Sequence, residues 1–431
     1  MGSKQHWVCA PPAPDGAPNV KTFGTTTPPL HALVAWLRQH QVTSVAMEST
    51  GVYWIPLFEL LDSEGFEVRL TDTRQLSRVP GRKSDRLDGQ WIQLLHSCGL
   101  LQGCFRPEDA ICQWRSLERA KAALVAERSD WLRRMQKALD QMNVCVHQAV
   151  SDIDGTTGMA IVRAIVAGER DPRKLAEFRD PRCHKSEQQI AEHRTGPWRP
   201  EHRFNLAQAV RMYDSIQERL GDYQWEIEQT VRHLPGKAEE GSAPPVRNKE
   251  KAKAFQRRGQ ETMRQVLYAM SGVDLTAIDG IGVETAEIVL SEYGPALEQF
   301  PAEKQFVSPL RLAPRVPKSG GKPLRGKRQG APSGGRASQV LRTAATSLKH
   351  SQSALGAYYR RMSRQKDANV AVFATARKLA QWIYRLLRHG QEYVDQGAAA
   401  YEKSYREARI HRLHQTAHQL GYQLVPQGPT A

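Results

Sequence analysis

From Glu108 to Val150 the chain contains neither proline nor glycine, a run that favours one long helix. Apolar residues recur at Leu117, Leu124, Trp131, Met135, Leu139, Met142 and Val146, at spacings of seven, four and three, so one stripe of this helix needs a partner. A second segment, Phe204 to Leu234, lies between Pro200 and Pro235 and carries a stripe at Leu206, Val210, Tyr213, Ile216, Leu220, Tyr223, Ile227, Val231 and Leu234. Core packing would explain either helix alone. Two seams of matching length, separated by residues 152–198, predict an antiparallel coiled-coil arm with a helical insert, packed on itself or dimerising.

Ahead of the arm, residues 1–105 alternate strand and helix patterns. His6–Ala10, Val20–Phe23, Ser44–Met47 and Glu67–Leu70 read as strands. Pro29–His40, Ile55–Glu64 and about Ser84–Ser97 read as helices. This order predicts an α/β domain with a largely parallel sheet. Behind the arm, residues 236–260 have linker composition, and residues 261–431 read as a mainly helical domain that includes Ala374–Arg388 and Glu402–Leu420.

At 431 residues the chain is too long for one core. It has no run of about 18 apolar residues and no signal peptide, so a cytosolic protein with no membrane span is expected. Six cysteines without a C-x-x-C pair argue against a zinc site or disulfide framework and fit small buried hydrophobes. The net charge is +16, and from Lys304 to Lys366 there are 15 Lys and Arg with no Asp or Glu. Such a window predicts a polyanion partner, nucleic acid before any other, with a solvated basic tail as the bland alternative.

Four local patterns carry chemistry. Asp85 and Asp88 stand three apart at a helix start and share a face. They are either an ordinary acidic first turn or two carboxylates that need a cation between them, and oxygen-rich sites of this kind suit Mg²⁺ or Mn²⁺. Glu48 ends a buried strand, where ligands collect in open α/β sheets. Ile278-Asp-Gly-Ile-Gly-Val-Glu-Thr-Ala286 has the pattern of a helix-hairpin-helix, in which Gly280 and Gly282 let backbone amides approach a phosphate; Gly-x-Gly also joins ordinary helices. Finally, Pro317-Lys-Ser-Gly-Gly-Lys322 places an exposed serine among glycines and lysines, as a flexible linker or as a phosphate-facing loop.

Taken together, Val45-Ala-Met-Glu-Ser-Thr-Gly-Val-Tyr-Trp54, Pro80-Gly-Arg-Lys-Ser-Asp-Arg-Leu-Asp-Gly-Gln-Trp91, Gln136-Lys-Ala-Leu-Asp-Gln-Met-Asn143, Ala167-Gly-Glu-Arg-Asp-Pro172 and Ser319-Gly-Gly-Lys322 closely resemble the DEDD transposases of the insertion-sequence 110 family, particularly its 1111-type branch. The resemblance runs nearly end to end. It implies a RuvC-like, ribonuclease-H-type domain over 1–105, a coiled-coil arm over 106–235, a basic linker over 236–260 and a transposase domain over 261–431. In that family four acids hold Mg²⁺ and a serine of the second domain is the proposed nucleophile. Glu48, Asp85 and Asp88 match three acids as catalytic and metal-holding residues. Ser319 matches the serine, with Ser308 a second candidate. The expected nucleic-acid contacts are Arg82, Lys83, Gly280, Gly282, Lys318, Gly320, Gly321, Lys322, Arg325, Lys327 and Arg328.

The partners implied are donor and target DNA, a structured guide RNA from the element that pairs with both, and further copies of the chain as a dimer or tetramer. The setting implied is a bacterial cytoplasm, at the nucleoid. Acids and serine on separate domains imply a composite site completed on nucleic acid. Two departures stand out. The family's first acid, an Asp on the first strand, has no counterpart, because Met1 occupies the place just after it. Asp15 is too far on to replace it, and Asp72 is the remaining stand-in. The expectation is a start internal to the true reading frame, with a catalytically inactive copy as the alternative. Gly89 replaces a small Ala. A structure-specific nuclease using water attack, and an inactive nucleic-acid-binding remnant, are the competing readings.

Overall fold

The computed structural model describes residues 2–12, 19–49, 51–71, 85–101, 103–144, 146, 152–178, 198–313, 318–319, 322–323, 334–390 and 392–425, with backbone alone for Asp85, Lys318, Ser319, Lys322 and Pro323. They form two compact units, Met1–Arg106 and Pro107–Ala431.

The first unit runs β1 (Gln5–Ala10), β2 (Asn19–Gly24), α1 (Thr27–Gln39), β3 (Ser44–Glu48), α2 (Ile55–Ser63), β4 (Glu67–Thr71) and α3 (Asp85–Ser97). Proline stands in the first turns of α1 and α2, where the missing N–H is no loss. Leu30, Leu33, Val34 and Leu37 form the buried stripe of α1 and pack with Leu57, Phe58 and Leu61 of α2 over Met47 and Leu70.

The sheet departs from the largely parallel expectation. β3 and β4 are parallel, whereas β1 and β2 are antiparallel, and no ladder joins the two pairs among the described residues. Connection length explains the difference. A parallel return needs a crossover of a dozen or more residues, which α2 supplies between β3 and β4; the eight residues 11–18 suffice only for an antiparallel return.

The second unit begins with α4 (Asp109–Gln141), α5 (Thr156–Ala167), α6 (Pro172–Glu177) and α7 (Pro200–Arg232). Lys121 Nζ donates to Gln224 Oε1, and Arg128 Nη1 to Gln217 Oε1. Seven residues forward on α4 therefore match seven backward on α7, which is antiparallel pairing. The predicted seams face each other: Met135 and Leu139 meet Leu206, Val210 and Tyr213 in a core closed by Ile161 and Ile165 of α5 and Leu175 of α6. Midway, Leu117, Leu124, Leu220 and Tyr223 are only half-buried.

There follow α8 (Lys249–Arg257), α9 (Glu261–Ser271), α10 (Val283–Tyr293), α11 (Glu303–Val307), β5 (Lys318–Ser319), β6 (Lys322–Pro323), α12 (Gly335–Ser347), α13 (Ala354–Gln365), α14 (Ala368–His389) and α15 (Gly397–Gln419). Within the stretch expected to be a linker, α8 is an ordered helix. Asn248 caps it, Phe255 is buried, and Lys251 Nζ donates to the carbonyl of Thr276 at 2.5 Å. The cysteines also differ from expectation: Cys98 and Cys104 are exposed, Cys9 and Cys112 half-buried, and none of these four forms a disulfide. Among the described residues no helix is long and apolar enough to cross a membrane.

A buried charge network ties α4, α7, α10 and α12 together. Lys121 lies 2.8 Å from Glu287 and 3.4 Å from Glu118, and Arg336 of α12 reaches Glu118 at 3.7 Å. Both carboxylates are almost fully buried. Burial works against the Lys121 charge, but Glu287 and Glu118 outweigh it and hold the ammonium pKa above its usual value. Burial, then the neighbouring Glu118, push the Glu287 carboxyl well above the usual 4.5. The folded state therefore keeps a proton on Glu287 at pH values where the unfolded chain has lost it, and this contribution to stability falls as pH rises above about 4.5. Glu287→Gln is accordingly expected to flatten the fall in stability from that pH upward, measured by urea unfolding across the pH range.

Candidate active site

Glu48 is the last residue of β3, and Asp88 lies in the first turn of α3. Ser44 Oγ and His96 Nε2, 2.9 Å apart, pin the end of α3 to the start of β3. From His96 back to Asp88 is eight residues, about 12 Å of helix. From Ser44 to Glu48 is four residues, about 13 Å of strand. The two elements run in opposite directions, so Asp88 arrives level with Glu48, and both line one groove of about 450 Å³. The close approach of α3 to β1 occurs at Gly89, where an added Cβ would lie 3.8 Å from the Trp7 carbonyl oxygen and 3.9 Å from Cys9 Cβ. Those are ordinary contacts, so alanine would fit there.

Asp85 begins α3, one turn before Asp88, and its side chain lies outside the described residues. Asp15, Asp72, Arg82 and Lys83 lie outside them too. No cluster of three or more metal-ligating side chains occurs among the described residues. The donors present are nevertheless of the right kind. Mg²⁺ is commonly held by one or two carboxylates, with water and substrate phosphates completing the shell, and Glu48 with Asp88 on one groove fits that description.

In the second unit, α9, a short 3₁₀ turn (Leu275–Ala277) and α10 follow one another over the stretch expected to be a helix-hairpin-helix. Arg264 of α9 bonds Asp274 at 2.6 Å and locks the approach to the hairpin. Gly280 has φ +83°, and an added Cβ would come within 3.1 Å of the Ala344 carbonyl oxygen on α12. Its missing side chain thus serves packing against α12. Gly282, at the N-cap of α10, faces open space. Ile281 between them is fully buried.

Ser319 belongs to β5 and pairs with Lys322 of β6 in an antiparallel register, Lys318 pairing with Pro323. The two intervening residues are glycines, the composition that two-residue hairpins favour. Ser319 therefore follows hairpin pairing rather than the free linker that its neighbours' composition allows. Gly320, Gly321, Arg325, Lys327 and Arg328 lie outside the described residues. Ser308 is exposed at the end of α11, where its carbonyl accepts from the Arg311 amide.

The acid-free window is not uniformly a basic surface. Arg336 pairs with Glu118, Arg342 lies over the Phe373 ring, Arg360 donates to the carbonyl oxygens of Lys349 and Ser351, and Arg361 stacks among Tyr358, Tyr401 and Tyr405. These arginines hold helices together. The periodicity of the window did not distinguish them from contacts to a polyanion, because partners such as Glu118, Phe373, Tyr401 and Tyr405 lie outside it.

Residues 1–144 match the DEDD-type transposase model of the insertion-sequence 110 family, and residues 273–360 match the model described as Transposase IS116/IS110/IS902 family. The chain belongs to the insertion-sequence 110 family of transposases. The first match takes in Glu48, Asp85 and Asp88 and continues through α4. The second opens at Val273, just ahead of the hairpin, spans Ser308 and Ser319, and ends within α13. As a transposase it is a DNA-processing enzyme, and DEDD transposases as a group use divalent metal. No curated protein sequence matches the chain.

Proposed function

We propose that this transposase cuts and rejoins the DNA of its insertion sequence with Glu48 and Asp88, joined by Asp85, as the metal-holding acids and Ser319 as the nucleophile. The observation that carries this reading is the convergence of Glu48 and Asp88, from a strand end and a helix start, on one groove of the first unit. The unit is read as RuvC-like, which the parallel pairing of β3 with β4 around α2 supports.

A bound Mg²⁺ or Mn²⁺ would supply Lewis-acid stabilisation of charge on the scissile phosphate and the leaving oxygen. Glu48 and Asp88, with Asp85, would hold that ion. Ser319 Oγ bonds to phosphorus as the phosphorus–oxygen bond to a deoxyribose oxygen breaks, the serine proton passing by way of solvent to that leaving oxygen, and the protein is left joined to one DNA end. The open N-terminus of α10 at Gly282 offers backbone amides to a phosphate. In this reading Lys318, Lys322, Arg325, Lys327 and Arg328 of the basic window track the polyanion. Guidance by a structured RNA, and assembly as a dimer or tetramer, rest on the motif resemblance and the acid-free window.

The test is the metal dependence of DNA cleavage in Asp88→Asn. Asparagine keeps the size and removes the charge. A rate loss of about a hundredfold or more, with a higher Mg²⁺ requirement, is expected on the order of what a lost metal contact costs. An unchanged Mg²⁺ titration would remove Asp88 from the metal site.

A further inference from the structure

A cavity of about 470 Å³ lies in the second unit, between the end of α14 and the turn that leads into α10. That volume is in the range of pockets that hold a small molecule. Pro245, Val246, Leu386 and Tyr268 give it largely apolar walls. Its polar groups include Lys251, Asp279, Tyr393 and Asp395, with the exposed side chain of Arg247 beside them.

The hydrogen bonds show what these groups lack. Lys251 Nζ donates to the carbonyl oxygens of Thr276 at 2.5 Å and Ile278 at 3.5 Å, so its donors are directed into the backbone. The buried Tyr393 hydroxyl donates to Asp279 Oδ2 at 3.3 Å, and Asp395 Oδ1 accepts from the Ala354 amide at 2.8 Å. Among the described residues Asp279 Oδ1 has no hydrogen-bond partner. Burial, and then Asp395, raise the Asp279 pKa, while burial lowers that of Lys251. Shifted titratable groups gathered in one cavity are a mark of functional sites. Lys251 and Arg247 already bring two cations to this cavity, so its carboxylates lack donors more than they lack charge.

We propose that this cavity takes one unstacked guanine base of a nucleic acid strand, whose N1–H and N2–H groups donate side by side to Asp279. Guanine is the common base with two adjacent N–H donors on its Watson–Crick edge. Unstacked bases are generally read by hydrogen bonds to that edge and by aromatic contact, which Tyr268 supplies here. Asp279 stands three residues before Gly282, so the cavity and the N-terminus of α10 are at most about 11 Å apart along the chain. A strand whose phosphate lies at Gly282 therefore brings its base within reach. The inference rests on the reading of that N-terminus as a phosphate contact, and DNA and RNA offer the same base chemistry.

Labelled oligothymidylates and oligouridylates with one central guanine, hypoxanthine or abasic position, titrated with the full chain by fluorescence anisotropy, test it. Guanine is expected to bind about tenfold or more tighter than hypoxanthine, which lacks the N2 donor, the scale of one hydrogen bond to a charged group. The abasic strand should bind more weakly still. The sugar series in which the preference appears identifies DNA, RNA or both as the source. Asp279→Asn puts an N–H₂ group where guanine needs an acceptor, and is expected to bring the guanine strand to the hypoxanthine level. Equal binding of guanine and abasic strands, or a guanine preference that survives in Asp279→Asn, overturns the base site and leaves the phosphate reading of Gly282 standing. Binding of no strand at all overturns both. N-acetylarginine amide, with the same paired donors, should displace the guanine strand less well than guanosine monophosphate does; the reverse overturns the base and makes an arginine side chain the occupant.

Discussion

Ser319→Ala is expected to abolish the covalent protein–DNA adduct and to lower strand joining on the order of 10⁴-fold or more, the scale of loss seen when an enzyme nucleophile is deleted. The serine hydroxyl is a weak nucleophile that needs activation. No histidine stands within ten residues of Ser319 in the sequence, so in the proposed mechanism the metal held by the acids and the lysines at 318 and 322 provide it. The measurement is a denaturing gel of labelled DNA after incubation with protein, Mg²⁺ and the element's RNA. DNA binding should persist, since alanine leaves the β5–β6 pairing possible. Full joining by Ser319→Ala would remove Ser319 from the mechanism and turn attention to Ser308. Cleavage without an adduct would make water the attacking group and favour a structure-specific nuclease.

Lys121→Ala is expected to destabilise the second unit by roughly 3–5 kcal/mol, the usual cost of leaving buried charge without its partner. Glu118 and Glu287 are 3% and 4% exposed at their side chains, so water cannot replace the ammonium. Arg336, at 3.7 Å from Glu118, compensates only in part. Urea midpoints report the loss, and the deficit should shrink at low pH, where the Glu287 carboxyl, whose pKa burial raises, is protonated. Replacing Lys121, Glu118 and Glu287 together by apolar residues of similar volume should recover most of the lost stability, because buried ion pairs are commonly close to neutral against a hydrophobic substitute.

Much of the secondary structure was legible locally. Each of the strands and helices read in residues 1–105 occurs within a few residues of its expected bounds, because each is set by short-range periodicity and by Pro, Gly and Asp at its ends. The arm was legible for the same reason: seven-residue spacing on two segments without internal proline demands a mutual partner. The sheet expected to be largely parallel is antiparallel between β1 and β2, which the shortness of residues 11–18 requires. Chemistry was legible as residue type: Glu48, Asp85 and Asp88 stood out as acids at a strand end and a helix start.

By itself, then, the sequence determined the family and the element boundaries and pointed to the arm and the acids, all of which rest on spacing within one segment or on motifs of contiguous residues. Tertiary structure alone decided what depends on residues far apart. It brought Glu48 and Asp88 to one groove through the opposed directions of β3 and α3. It brought Gly280 against α12 and set basic-window arginines to hold helices together. It also gathered Lys251, Asp279, Tyr393 and Asp395 around one cavity, since residues as far apart as Asp279 and Tyr393, 114 positions, meet only through the packing of the helices that carry them.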